Sequence, residues 1–161
     1  MTTGHIGIIG AGIGGLTAAL SLQRCGLRVS LFERADEVRE VGAGLVLAGP
    51  SMRALDYLAV GDLIRAKAGK RPPGYFTLKH YASGATLQEP ADVSGQELAY
   101  ALHRADLHGI LLDAVLAVDP DCLHLGYEFS EFSEGRKSVR VGFTEGQSAT
   151  VDALVGCDGV A

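Results

Sequence analysis

Residues 5–33 read HIGIIGAGIGGLTAALSLQRCGLRVSLFE, and the fold turns on how this stretch divides. His5 to Ile9 is a short apolar run that stops at Gly10, as a buried strand does where it turns. From Ile13 to Cys25, the residues Leu16, Ala19, Leu20 and Gln23 recur at helical spacing, and Gly26 follows as a C-terminal cap. Arg28 to Glu33 alternates and is partly β-branched or aromatic, which predicts a second strand. Strand, helix and strand within about 30 residues make a βαβ unit.

Between the first strand and the helix lies Gly10-Ala11-Gly12-Ile13-Gly14-Gly15, which contains G-x-G-x-x-G at Gly10, Gly12 and Gly15. In that pattern the first glycine permits the tight turn and the second lets a pyrophosphate approach the backbone. The third lets the helix pack closely on the sheet. The helix start, through Ile13 and Gly14, adds unpaired N–H groups and the positive end of the helix dipole. Glu33 closes the second strand about 20 residues on, where a carboxylate accepts from ribose hydroxyls and disfavours a 2′-phosphate. A glycine-rich turn with no ligand is the plain alternative; the strand–turn–helix context and Glu33 weigh against it. The residues alone predict a dinucleotide site for FAD or NAD(H), and leave those two close.

Further along, Ala35 to Val41 is charged and reads as a loop, and Gly42 to Leu47 as extended. Ser51 is placed to cap a helix carrying Met52, Leu55 and Leu58, and a short helix follows from Asp62 to Ala68. Gly69 to Pro73 reads as a break, Tyr75 to Tyr81 and Ala85 to Gln88 as strands, Pro90 to Gln96 as a loop, and Leu98 to Leu102 as a strand. Asp106 to Val118 has Leu107, Ile110, Leu111, Ala114, Val115 and Val118 on one helical stripe, ended by Pro120. Leu123 to Phe132, Ser138 to Thr144 and Ala149 to Val151 alternate and form a three-stranded meander, with turns at Glu134-Gly135 and Glu145-Gly146. The meander feeds a short apolar strand, Ala153 to Gly156. In a simple doubly wound NAD domain helices alone join the parallel strands, so this meander favours FAD modestly.

At 161 residues the chain is expected to form one domain, and 47% hydrophobic residues supply a core. The formal charge of -5 argues against nucleic acid and acidic membrane surfaces as partners. Cys25, Cys122 and Cys157 show neither a disulfide framework nor a metal set, which points to a reducing, cytoplasmic setting. The start lacks a signal-peptide pattern, and no stretch nears the roughly 18 apolar residues of a membrane span.

Four blocks together carry a resemblance: GIIGAGIGGLTAALSLQRCGLRVSLFERA, VREVGAGLVL, LHRADLHGILLDAV and DALVGCDGV. In this order they resemble the amino-terminal portion of FAD-dependent aromatic-ring hydroxylases of the salicylate hydroxylase type. The resemblance implies an α/β fold, a Rossmann-like parallel sheet with a three-stranded β-meander crossover. It implies FAD as cofactor, NADH or NADPH as reductant, and insertion of one oxygen atom of O2 into an aromatic or similar small molecule. Gly10, Gly12 and Gly15 would then hold the pyrophosphate, and Glu33 the adenosine ribose with Arg34 and Ala35 alongside. Arg39 and Gly42-Ala43-Gly44 would lie near the ribityl chain and flavin. Arg104 would bind a phosphate or the ribityl region, Asp158-Gly159 would support the pyrophosphate side, and the backbone near Phe129 would touch adenine. The family usually has Pro-Asn after its G-A-G block; here Ala48-Gly49-Pro50-Ser51 lacks the Asn.

The resemblance also implies an incomplete FAD-binding domain over residues 1–161, without the substrate domain or the second cofactor block of the Gly-Asp-Ala-Ala-His kind. The chain alone is then expected to be inactive, and an open edge on its last strand favours a homodimer. His103 and His108 are catalytic candidates by residue type only, and the catalytic groups and substrate are not legible. The competing readings are an NAD-dependent dehydrogenase domain and a non-enzymatic nucleotide-binding module.

Overall fold

A computed structural model gives the structure and describes residues 4–38, 42–71, 78–88 and 98–159. In chain order the elements are β1 (His5–Ile9), α1 (Ile13–Arg24), β2 (Arg28–Glu33), β3 (Gly44–Leu47), α2 (Gly49–Tyr57), α3 (Gly61–Lys67), β4 (Gly69–Arg71), β5 (Leu78–Lys79) and β6 (Thr86–Gln88). There follow β7 (Ala99–His103), α4 (Arg104–Val118), β8 (Leu123–Leu125), β9 (Phe129–Glu134), β10 (Val139–Phe143), β11 (Ser148–Val151) and β12 (Ala153–Gly156). They fall into two compact units, one from residues 1–42 and 105–161, the other from residues 43–104.

The first unit is built on a four-stranded sheet in the order β12-β1-β2-β8. All its pairings are parallel, with Ile9 opposite both Gly156 and Phe32, and Leu31 opposite Leu123. Between β8 and β12 the chain makes an antiparallel meander, β9-β10-β11. This is the parallel sheet with a meander crossover that the sequence predicts.

Ile9 and Phe32 pack with Val141, Phe143 and Val151 of the meander in one core cluster. Strand alternation turns Ile8 and Leu31, both fully buried, to the other face. Leu16, Ala19 and Leu20 of α1, which packs on β1 and β2, are buried, as are Leu107, Ile110, Leu111 and Val115 of α4. Gln23 ties the two helices, its Nε2 donating to the Val115 carbonyl at 3.4 Å. Each such leucine, isoleucine or valine side chain contributes about 1.5–3 kcal/mol on burial.

In the second unit, β3-β7-β4 form an antiparallel sheet, α2 pairs with α3, and β5 with β6 makes a hairpin. Arg65 of α3 binds both carboxylate oxygens of Asp56 at 2.6 and 2.7 Å. That guanidinium holds the Asp56 carboxyl below its ordinary value, chiefly through the hydrogen bond.

Several expectations need correction. Leu123 to Phe132 is not one strand: Gly126 adopts φ 73°, and the N–H groups of Gly126 and Tyr127 donate to Ala35 and Glu33. The chain is thereby split into β8, which extends the parallel sheet, and β9, which starts the meander. Ser51 does not cap α2; the helix begins at Gly49 with Ala48 as N-cap, because Pro50 presets the first turn. The break at Gly69 to Pro73 is in part a strand, since pairing with β7 supplies hydrogen bonds that local sequence does not announce. Val118 ends α4 half exposed rather than on the buried stripe. The loop at Pro90 to Gln96 and residues 75–77 of the strand expected from Tyr75 to Tyr81 lie outside the described residues, and within the remainder only Leu78–Lys79 is strand.

Candidate cofactor site

The site starts where β1 ends. Gly10 takes φ 96°, a left-handed conformation, and its N–H donates to the Phe32 carbonyl at 2.7 Å. A Cβ there would sit 2.5 Å from the Cys157 carbonyl oxygen and 3.0 Å from the Asp158 Cα. A Cβ on Gly15 would run into the Gly10 carbonyl oxygen. These two glycines are therefore required by the protein's own packing, the first at the turn and the third where α1 leaves it.

Gly12 differs. Its φ of -71° suits any residue, and a Cβ would meet nothing within 4 Å. Gly14 likewise faces open space. Gly12 is the N-cap of α1, makes no side-chain cap bond, and accepts the first helical bond from Leu16 at 2.9 Å. The amides of Gly12, Ile13, Gly14 and Gly15 thus precede the helical ladder, with no acidic residue in the first turn to neutralise the positive dipole.

Ala11, Gly12, Glu33, Ala35, Glu37, Val38 and His108 line a recess of about 120 Å³ at this point. Glu33 holds the turn from β2: its Oε2 accepts from the Ala11 N–H at 2.8 Å and its Oε1 from the Ala35 N–H at 3.1 Å. A carboxylate offers about four lone-pair sites, so both oxygens retain capacity for sugar hydroxyls. With Glu33 and Glu37 at one end and uncapped amides at the other, the recess favours phosphate at Gly12 and a neutral diol at Glu33. These residues fit an ADP moiety.

Beside the turn, Cys157 lies where β12 ends, its N–H donating to the Ile9 carbonyl at 2.7 Å. Burial, and then the neighbouring Asp158 carboxylate, push its thiol up and keep it protonated. Burial lowers His5 and His124 below the ordinary imidazole value, with Arg28 adding to the effect in each.

The chain is similar to known proteins over nearly its whole length. The model of a family described as the FAD binding domain matches residues 3–161. The chain belongs to this FAD-binding domain family. It is 34% identical to 3-hydroxybenzoate 6-hydroxylase of Klebsiella oxytoca, over 94% of this chain and 39% of that protein. It is 35% identical to 3-amino-4-hydroxybenzoate 2-monooxygenase of Streptomyces cremeus, over 97% of this chain and 40% of that protein. A structure of Klebsiella pneumoniae HpxO complexed with FAD superposes with a TM-score of 0.77 at 26% identity, over 97% of this chain and 40% of that one. The chain thus spans about two fifths of the length of these relatives. The cofactor is FAD, which decides between the two dinucleotides that the residues alone left open.

Within this FAD-binding fold the predicted residues divide. Gly10, Gly12, Ile13, Gly14, Gly15 and Glu33 meet at the first turn, and the Asp158 backbone lies against Gly10. Arg34 is exposed beside Glu33, and Gly159 turns with φ 87°. In the second unit, pairing of Gly44 with His103 brings the G-A-G segment to the HRADL block, and the Arg104 N–H donates to the Ala43 carbonyl at 3.3 Å. Phe129 and Asp158 line a different cleft of about 520 Å³, with Ile9, Phe132, Val139 and Leu154. Arg39 lies outside the described residues. The sequence reading missed Glu37, Val38 and His108 as lining residues. His108 carried a signal, a polar residue next to Leu107 on an otherwise apolar buried stripe. No described helix is long and apolar enough to cross a membrane.

Proposed function

We propose that this chain is the cofactor-holding part of a flavoprotein monooxygenase that hydroxylates an aromatic or similar small molecule with O2 and NADH or NADPH. The observation that carries the reading is Gly12: among the described residues nothing lies within 4 Å of a Cβ there, yet the position opens onto the recess where amides and Glu33 converge. Bound FAD supplies the redox chemistry and the activation of O2. The chain's own work is placement. The amides of Gly12, Ile13 and Gly14 hold the pyrophosphate, Glu33 grips the adenosine ribose with Arg34 alongside, and Asp158-Gly159 backs the turn. The reading keeps Arg39, Gly42, Ala43, Gly44 and Arg104 as contacts toward the ribityl and flavin end, each open to test by its own substitution. A hydroxylase must also shield its flavin from water. Residues 1–161, an incomplete FAD-binding domain in this reading, are not expected to hydroxylate alone.

The protein is placed in the cytoplasm, and β12, an outer strand among the described residues, offers an edge for pairing two copies in a homodimer. The test is purification of the full chain, with absorbance spectroscopy, FAD and ADP titration, and NAD(P)H oxidation in one series. FAD bound and displaced by ADP, without substrate-coupled oxidation, is the expected result. Preference for NADH over FAD would point to a dehydrogenase domain instead. Sedimentation reports the dimer.

A further inference from the structure

We propose that His108 is a positioning residue for the phosphate-binding turn. Its Nε2 lies 2.7 Å from the Ala11 carbonyl oxygen, 97 residues away in sequence, and the side chain is 4% exposed. A carbonyl oxygen can only accept, so Nε2 carries the hydrogen and donates it. The Ala11 N–H is taken at the same time by Glu33. Both polar backbone groups of Ala11 are therefore held by side chains, one from β2 and one from α4.

The consequence follows from peptide planarity. In a trans peptide the carbonyl and the following N–H point in opposite directions within one plane. Holding the Ala11 carbonyl toward α4 aims the Gly12 N–H away from it. That N–H is one of the amides outside the helical ladder, and Gly12 has no Cβ contacts to brace its own orientation. Without the imidazole donor the Ala11–Gly12 peptide loses its outer restraint, and the amide that meets the pyrophosphate is no longer preset. His108 does not touch reacting atoms in this role. It acts through the turn, and the inference rests on the FAD reading above.

Three versions of the chain decide the matter: wild type, His108→Gln, which keeps an N–H donor at similar reach, and His108→Leu, which removes it. FAD affinity is expected to fall about tenfold or more in His108→Leu and to return to within about threefold in His108→Gln. A purely structural role would lower the melting temperature without that rescue of affinity. Nitrogen NMR of the cofactor-free wild type is expected to show Nε2 protonated, with a scalar coupling from Nε2 to the Ala11 carbonyl carbon. Wild-type affinity in His108→Leu, equal loss in both variants, or an unprotonated Nε2 overturns the proposal. If His108→Leu does not fold, the coupling decides: its presence supports the contact and its absence overturns it. Failure of the wild type to bind either FAD or ADP would bring down the FAD reading itself and this role with it.

Discussion

The recess at the first turn and the cleft beside β12 rank one way by size and the other way by chemistry. The cleft is the larger, about 520 Å³ against about 120 Å³. Its lining is apolar around Ile9, Phe129, Phe132, Val139 and Leu154, and its charged members are the carboxylates Glu134, Asp152 and Asp158. An anionic pyrophosphate gains nothing there. The recess is small, but uncapped helix amides, the Glu33 carboxylate and the His108 imidazole converge on it. Convergent polar groups, rather than volume, favour the recess as the proposed cofactor seat.

The largest expected effect separates the three glycines of the turn. Gly15→Ala and Gly10→Ala each press a Cβ onto backbone, and are expected to cost roughly 3 kcal/mol or more, seen as a melting temperature lowered by about 10 °C. Gly12→Val should melt within about 2 °C of wild type yet bind FAD at least about a hundredfold more weakly, by titration calorimetry. Equal melting losses at all three positions would erase the difference between Gly12 and the other two glycines. Glu33→Gln should weaken FAD binding about tenfold and relax the bias against 2′-phosphorylated adenosine, measured by competition with 2′-phospho-ADP.

A smaller effect concerns acid. Burial lowers His5 and His124 in the folded chain, so the unfolded chain takes up protons first as pH falls. Their contribution is complete above the ordinary imidazole value of about 6.5 and is lost as pH falls through it toward the folded values. Melting temperature should therefore drop between pH 7.5 and 5.5, and His124→Gln should flatten that slope. Smallest of all, Phe132→Ser in the cleft should leave FAD affinity within about twofold, since the side chain is already 55% exposed. A large loss would relocate the cofactor.

The βαβ unit and the glycine turn between its first strand and helix were legible because local chemistry decides them. Gly10 and Gly15 each carry a stereochemical requirement and Glu33 an acceptor role that show in the residue type, whereas the structure itself imposes no such requirement on Gly12. The meander was legible in part: alternation marks its strands, but Leu123 to Phe132 alternates through Gly126, and only the left-handed turn there divides two sheets. β4 was not legible, because a three-residue strand exists through its partner β7. His108 could be read as unusual on its helix, but its acceptor sits at Ala11, and no periodicity links residues that far apart. The backbone near Phe129 was expected at adenine by resemblance alone, and its place in the cleft with Phe132 and Leu154 leaves that expectation a proposal.

The most direct test of the account is an amide-shift map of the isotopically labelled full chain during titration with ADP. The account predicts that the shifts gather on residues 10–16 and 33–38. Shifts concentrated on Phe132, Val139 and Leu154, or no saturable shifts at all, would contradict it.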